Sequence, residues 1–163
     1  VMRQWLALSM VLSQIMQSAR AVVRHVQGRG SGADVAASTF GGVVAYRQDD
    51  LVPQVLTSLP ALTAVYCGYK TTTPEVIKFV MDRFHDQPDK LADLYQQMDV
   101  YSNQAVIAWQ HEDWSAVGRL MNQQFLLQQS LGISDDALDH IVKVLQQQPT
   151  CYGAKISGSG LGD

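Results

Sequence analysis

The sequence predicts an α+β fold in which helices dominate and strands are few. Three observations lead to this prediction. Apolar residues recur every three or four positions over several long stretches, as they do on one face of a helix. Two short runs are rich in β-branched and aromatic residues, which is typical of strands. Nine of the twelve glycines fall in two segments, Gly28–Gly42 and Gly153–Gly162, which predicts two specialised loops.

Length and charge limit the classes of protein to which the chain can belong. With 163 residues, 47% of them hydrophobic, and a net charge of −3, it can bury a core and is not expected to be disordered. That charge also excludes a generally basic nucleic-acid binder. No run approaches the ~20 apolar residues of a membrane span, so we expect no membrane insertion and a cytoplasmic location. Cys67 and Cys151 have no metal-binding spacing, and reduced thiols are favoured over a disulfide.

The N-terminal third predicts a helix, a loop, a second helix and a strand. One apolar helical face is formed by Trp5, Leu8, Leu12, Ile15, Ala19, Val22 and Val26. The run Gly30-Ser31-Gly32 then opens a short helix over Ala33–Phe40, which Gly41 and Gly42 end. A strand is predicted at Val43–Tyr46 and a second one at Leu62–Tyr66, after a turn at Pro60.

The remainder of the chain predicts four helices. Thr73 with Pro74 and Glu75 has the pattern of a helix start. A long helix is expected after Pro88 and another over Glu112–Ser130. Ser134 is expected to cap a last helix, which Pro149 ends. The glutamine pairs and triplet of this region, Gln123-Gln124, Gln128-Gln129 and Gln146–Gln148, are expected on solvated helix faces.

The first glycine segment can carry chemistry as well as structure. A glycine-rich loop that opens onto a helix presents backbone N–H groups to an anion. Asp34 follows in the first turn, where the helix dipole favours a carboxylate that could act as a base or orient a substrate. A plain helix cap would also explain Asp34 and is favoured when this residue is considered alone, so both interpretations stay open.

The second glycine segment reads Gly153-Ala154-Lys155-Ile156-Ser157-Gly158-Ser159-Gly160-Leu161-Gly162-Asp163. It is not a dinucleotide-binding fingerprint, because the required strand, third glycine and downstream acid are missing. It is not a Walker loop either, because it lacks the Gly-Lys-Ser/Thr ending. These two nucleotide-binding classes are therefore excluded for this segment.

Together the two segments resemble the motifs of the GHMP small-molecule kinases. The first, from Gly28 to Gly42, reads Gly-x-Gly-Ser-x-x-Asp-Val-Ala-x-Ser-x-Phe-Gly-Gly, and the second follows more than a hundred residues later. Both stand in the order and separation of that superfamily, and the resemblance extends over the whole chain. It is closest to the isoprenoid branch, the mevalonate and phosphomevalonate kinases. The galactokinase branch, or a non-catalytic binding domain with the same fold, are the alternatives.

The resemblance implies phosphoryl transfer from ATP, with Mg²⁺, to a small acceptor in isoprenoid precursor synthesis. Asp34 would be the catalytic carboxylate, with Arg29, Gly30, Ser31 and Gly32 binding the acceptor and Gly158, Ser159 and Gly160 forming the closing active-site loop. Such transfer would bring Asp34 within ~15 Å of that loop.

Two positions depart from the family pattern. Val23 stands about where mevalonate kinases carry a metal-binding Glu, so no metal ligand is assigned, and Leu161 replaces a usual glycine.

The resemblance also implies a division into two domains. Residues 1–46 would be the end of an N-terminal domain and residues 51–163 most of a helix-rich C-terminal domain. The family's nucleotide loop and catalytic Lys are expected before Val1 and the final strands after Asp163, so the fragment alone should be inactive. A positively charged set, Arg24, Arg29, Lys70 and Lys155, suits an anionic acceptor such as mevalonate or its 5-phosphate. The expected partners are this acceptor and ATP, without nucleic acid or membrane, and homodimer formation stays open.

Overall fold

The computed structural model describes residues 10–28 and 30–162, and the chain divides into two compact units, 1–59 and 60–163. The first unit contains α1 (Leu12–Gln27), α2 (Ala33–Phe40), β1 (Val43–Ala45) and β2 (Gln54–Leu56). The second contains α3 (Thr73–Arg83), α4 (Pro88–Gln110), α5 (Trp114–Leu131) and α6 (Asp136–Gln146). The chain is mostly helical with one small two-stranded sheet, and the predicted α+β class is confirmed.

Helix α1 follows the predicted apolar periodicity only in part. The backbone N–H of Val11 donates to Gln14 Oε1 at 3.1 Å, which satisfies one of the free donors at the start. Gly28 ends the helix in a left-handed conformation, with its N–H bonded to the carbonyl of Arg24. Met16 is fully buried, whereas Val22 and Val26 are 62% and 75% exposed. The predicted positions Trp5 and Leu8 lie outside the described residues.

The two strands of the first unit form an antiparallel pair. Val43 faces Leu56 and Ala45 faces Gln54 across the sheet. β1 agrees with the predicted strand except that it ends one residue before Tyr46. β2 was not predicted, because three residues after a proline give too short a pattern to recognise.

The predicted strand Leu62–Tyr66 is wrong. These residues have no regular structure, and the side chains of Leu62 and Tyr66 are 63% and 74% exposed. A strand exists only when a neighbouring strand completes its backbone hydrogen bonds. The described part of the second unit, residues 60–162, contains no strand that could do so. The β-branched pattern at Leu62–Tyr66 therefore had no neighbouring strand in the described part of this unit with which to pair.

The four helices of the second unit confirm the predicted ones, with small shifts at their starts. The cap of α3 is Thr72 rather than Thr73, and Thr72 pairs with Glu75 in a capping box. The cap of α5 is Asp113, whose carboxylate accepts from the N–H of Ala116. The cap of α6 is Asp135, while the Ser134 hydroxyl bonds to the carboxylate of Asp139. In both α5 and α6 the cap is thus an aspartate directly before the first helical residue, as is common at helix starts.

Two apolar clusters stabilise the second unit. The first joins α3, α4 and the end of α5 through Val76, Val80, Phe84, Leu94, Leu127, Leu131 and Ile133. The second joins α5 and α6 to the segment after them through Phe125, Leu138, Val142, Ala154 and Ile156. The second cluster therefore fixes the chain just before its second glycine segment. Cys67 and Cys151 are free and half-buried, as predicted.

Within the described residues, each helix is too short or too polar to cross a membrane.

Candidate functional site

The predicted site residues fall into both units, so each part is described by itself. In the first unit, α2 starts at Ala33 and places Asp34 in its first turn. Gly32 occupies the N-cap position with φ +88° and has no side chain with which to cap the helix. Asp34 therefore does not serve as the cap, which removes the structural explanation that the sequence had left open. Its side chain is exposed, and the helix dipole favours a negative charge at this end.

The turn before α2 is held by two side chains that sequence reasoning missed. A Cβ added to Gly32 would lie 2.9 Å from Cγ and Nε of Arg20, so this position admits only glycine while Arg20 stays in place. The Arg20 guanidinium donates to the carbonyl of Gln48 at 2.7 Å and lies 5.7 Å from the ring centre of Tyr46. The Tyr46 hydroxyl donates in turn to the carbonyl of Ser31 at 2.8 Å. Arg20 and Tyr46 thus fix the backbone that leads into Asp34.

Ser31 and Gly30 complete the first part of the site. The N–H of Ala33 donates to the Ser31 hydroxyl at 3.3 Å, so this side chain supports the start of α2. A Cβ on Gly30 would lie 3.7 Å from Val23 Cγ1, which places Val23 beside the turn. An apolar side chain thus stands where the resembling kinases carry a metal-binding Glu. Arg29 lies outside the described residues, and Arg24 is exposed in the last turn of α1.

In the second unit, the glycine loop Ser157–Gly162 has an unusual backbone. Gly158, Gly160 and Gly162 have φ values of +72°, +90° and +98°, and Leu161 has +50°. Positive φ costs little for glycine and strains a residue with a Cβ. A glycine would adopt this conformation at position 161 without strain. Here the strain at Leu161 is offset by two backbone hydrogen bonds, from its N–H to Ile133 and to its carbonyl from Thr71.

The glycine loop lies in close contact with the rest of its unit. A Cβ on Gly160 would come within 2.5 Å of the Ile133 carbonyl oxygen. A Cβ on Gly162 would lie 2.5 Å from Tyr69 Cδ2 and 2.7 Å from the Tyr69 carbonyl oxygen. The hydroxyls of Ser159 and Thr73 lie 3.4 Å apart, within hydrogen-bond range. Gly160 and Gly162 are therefore required by close approach as well as by φ.

Tyr69 and Asp135 form a side-chain hydrogen bond beside this loop. The Tyr69 hydroxyl donates to the Asp135 carboxylate, which also accepts from the N–H of Leu138 at 2.9 Å. Burial raises the pKa of Tyr69, and the neighbouring carboxylate raises it further. Burial alone would raise the pKa of Asp135, but the bonds from Tyr69 and from the α6 backbone outweigh it and hold this pKa below its ordinary value. Sequence reasoning missed both residues.

Three amide side chains hold the segment that precedes the loop. Asn122 Oδ1 accepts from the N–H of Ala154 at 2.9 Å, and Gln146 Nε2 donates to the carbonyl of Ala154 at 3.1 Å. Gln128 is 3% exposed and donates to the carbonyl of Ile156 at 3.0 Å. The expectation of solvated faces is therefore wrong for Gln128 and Gln146. Their side chains satisfy backbone groups that a neighbouring strand would otherwise pair with.

The predicted positively charged residues do not gather within one unit. Arg24 belongs to the first unit, whereas Lys70 and Lys155 belong to the second. The Lys155 ammonium donates to the carbonyl of Ile156 at 2.7 Å, and its partial removal from water lowers its pKa. Lys70 is exposed at the start of the segment that leads into α3. The nearness of Asp34 to the glycine loop concerns both units and stays a prediction.

The described residues do not assemble a metal site. No three His, Cys, Asp or Glu side chains within ranges 10–28 and 30–162 come together in a way that could hold a metal ion. The predicted absence of a metal ligand in this sequence rests on Val23, which offers no donor atom. Asp34 is the single acidic side chain of α2.

Comparison with known proteins finds similarity over part of the second unit and over the chain as a whole. Residues 104–163 match the sequence profile of a family described as GHMP kinases C terminal. The chain is 27% identical over 162 residues to a mevalonate kinase of Pyrococcus horikoshii, and 29% identical over 137 residues to one of Methanothermobacter thermautotrophicus. It covers 48% and 45% of these proteins, which cover 96% and 84% of the chain. The predicted resemblance is confirmed by these matches.

The fold is also similar to that of a solved relative. The crystal structure of L. major mevalonate kinase in complex with R-mevalonate superposes with a TM-score of 0.76 at 28% identity. This match covers 94% of the chain and 48% of the solved protein. The chain thus spans about half the length of each of these relatives.

Proposed function

We propose that this chain, which carries a GHMP kinase C-terminal domain at residues 104–163, is part of an isoprenoid-type small-molecule kinase. The enzyme would transfer the γ-phosphoryl group of ATP to a mevalonate-type acceptor, mevalonate or phosphomevalonate, in the cytoplasm. The relatives at 27–29% identity are mevalonate kinases, and this supports the isoprenoid branch over galactokinases. Residues 1–46 and 51–163 would contribute to its N-terminal and C-terminal domains.

The observation that carries this proposal is the position of Asp34. Its carboxylate is exposed in the first turn of α2 and does not cap the helix. The N-cap residue before it is Gly32, which has no side chain. An exposed carboxylate that does not cap the helix is available to a substrate. In the reaction, the acceptor hydroxyl attacks the γ-phosphorus, ADP leaves, and Asp34 orients the hydroxyl or takes its proton.

The remaining predicted residues would position the acceptor. Gly30, Ser31 and Gly32 would line its binding site, with Arg29 gripping a carboxylate or phosphate through two parallel hydrogen bonds. Gly158, Ser159 and Gly160 would close the site as a rigid loop, because positive φ and close packing leave that backbone few alternatives. Phosphoryl transfer depends mainly on such positioning and on charge stabilisation.

ATP and Mg²⁺ are implied by the kinase family rather than by the described residues. The metal supplies charge stabilisation to the transferring phosphoryl group when it is bound. The donor atoms described here do not fit a magnesium site, because Val23 has none and Asp34 stands alone on α2. The chain's own described residues would act only on the acceptor and its proton.

An ATP-consumption assay on the complete protein tests the proposal. Mevalonate, phosphomevalonate, galactose and homoserine are offered side by side, and turnover with one of the first two is expected. Replacing Arg29 with Gln should raise the acceptor KM and leave the KM for ATP nearly unchanged. A clear preference for galactose would move the protein to the sugar-kinase branch. No turnover with any acceptor would favour a non-catalytic binding domain.

A further inference from the structure

Two walls of the second unit enclose the glycine loop Ser157–Gly162. One wall is the segment Tyr69–Thr73, which we call the anchor segment. It contacts the loop through the Tyr69 ring at Gly162, the Thr71 N–H at Leu161 and the Thr73 hydroxyl at Ser159. The loop therefore meets the anchor segment at three successive points.

The other wall is the connection between α5 and α6, residues 132–135. Its Ile133 carbonyl accepts from the Leu161 N–H at 2.9 Å, and the same residue lies against Gly160. Asp135 ends this connection and caps α6. The bond from the Tyr69 hydroxyl to Asp135 ties the anchor segment directly to the connection. The loop thus lies between two walls that one side-chain hydrogen bond joins.

We propose that Tyr69 is a positioning residue that fixes the glycine loop by tying its two walls together through Asp135. The proposal rests on the proposed function, in which this loop closes the active site. The ring of Tyr69 lies against Gly162, and its hydroxyl sets the spacing of the walls. Neither residue contacts the reacting atoms in this assignment, and both act through the loop.

The chemistry of the pair suits a permanent contact. The raised pKa of Tyr69 keeps its hydroxyl protonated as a donor, and the lowered pKa of Asp135 keeps its carboxylate ionised as an acceptor. Hydrogen bonds to a charged group stabilise more than neutral ones. The Asp135 carboxylate is further held in place by the N–H of Leu138. The tie is therefore strong and fixed at one end by a helix.

Hydrogen exchange on the complete protein tests the tie without any substrate. Tyr69→Phe keeps the ring against Gly162 and removes only the hydroxyl, and it should speed amide exchange over residues 157–162 about tenfold or more. Asp135→Ser keeps a good helix cap but cannot reach Tyr69, so it should have the same effect. Asp135→Asn keeps both the cap and an acceptor and should stay within about threefold of wild type. Tyr101→Phe, a half-buried tyrosine of α4, is the matched control.

Kinetics on the same variants then tests the consequence for transfer. Tyr69→Phe should lower kcat about tenfold, with a much smaller change in acceptor KM, because a displaced loop affects the transfer step more than binding. Unchanged exchange at 157–162 in Tyr69→Phe, or loss of protection spread evenly over α4 as well, would overturn the positioning role. Normal exchange behaviour with an inactive wild-type protein would overturn the proposed function and leave the tie confirmed.

Discussion

The two glycine segments look alike in sequence and differ in what surrounds them. In the first, a Cβ on Gly28, Gly41 or Gly42 would meet nothing within 4 Å. In the second, a Cβ on Gly153, Gly160 or Gly162 would collide with backbone or ring atoms. Most glycines of the first segment serve backbone conformation, with Gly32 as the exception because it lies against the flexible side chain of Arg20, whereas those of the second lie against backbone or ring atoms. The first segment leaves the carboxylate of Asp34 exposed, and the second is packed closely against its own unit.

The largest expected effect concerns Asp34, the exposed carboxylate of the first glycine segment. Asp34→Asn in the complete protein should lower turnover at least ~100-fold, the usual scale for a positioned acid–base group. The fold should stay intact, because Asp34 neither caps α2 nor is buried. Steady-state kinetics and thermal unfolding measure both quantities. Asp93→Asn, an exposed aspartate of α4, is the control and should leave both unchanged. Near-normal turnover of Asp34→Asn would leave the first segment without a chemical role.

The next prediction compares one glycine from each segment. Gly162→Ala should reduce the free energy of unfolding by about 3 kcal/mol, because strain at φ +98° adds to the collision with Tyr69. Gly28→Ala should cost about 1 kcal/mol, because φ +74° strains alanine but the space is open. Urea denaturation of both variants measures the difference of about 2 kcal/mol. Equal losses would mean that conformation alone explains both segments.

The sequence predicted the helices better than the strands, and the reason is local. A helix completes its own hydrogen bonds, so the patterns around Pro74, Pro88 and Trp114 were sufficient. The strand pattern at Leu62–Tyr66 needs a partner, and the described residues 60–162 provide none. β2, conversely, is short and follows Pro53, and only its pairing with β1 defines it.

The sequence predicted those parts of the candidate site that belong to a continuous motif. It did not predict the parts that tertiary packing brings together. Gly30, Ser31, Gly32 and Asp34 are neighbours in sequence, so their nearness followed at once. Tyr69 and Asp135 are 66 positions apart, and no spacing rule connects them. Gln128 belongs to a glutamine-rich stretch that looks solvated in the sequence. Its side chain is nevertheless buried and donates to the carbonyl of Ile156, a residue of the second cluster. Long-range contacts of this kind have no signal in a single sequence.

A third prediction concerns the amides that hold the approach to the second segment. Asn122→Ala removes the acceptor of the Ala154 N–H and of Gln146 Nε2, and it should cost about 1.5 kcal/mol of unfolding free energy. Gln123→Ala, exposed on the same helix, should change it by less than about 0.5 kcal/mol. Urea denaturation again measures both. A neutral Asn122→Ala would mean that the apolar cluster alone fixes this segment.

The smallest expected effect is a dependence of the unfolding free energy on acidic pH. It involves Asp135, which lies beside the second glycine segment. The folded-state pKa of Asp135 lies below its ordinary value of 3.8, because the bonds from Tyr69 and α6 outweigh its burial. A group with a lowered folded-state pKa stabilises the fold above its unfolded pKa, and this stabilisation is lost as the pH falls through the folded value. Wild type should therefore exceed Asp135→Asn in unfolding free energy by about 0.5 kcal/mol at pH 7, since charges near the surface are screened.

That difference should shrink as the pH falls below about 4, the unfolded pKa, and through the lower folded-state pKa. Urea denaturation of both proteins at pH 7, 5, 4, 3 and 2 measures it. The comparison between variants removes contributions that are common to both proteins. A difference that persists at pH 2 would show that Asp135 stabilises through its shape as a cap rather than through its charge. The tie to Tyr69 would then rest on a neutral hydrogen bond, which is weaker.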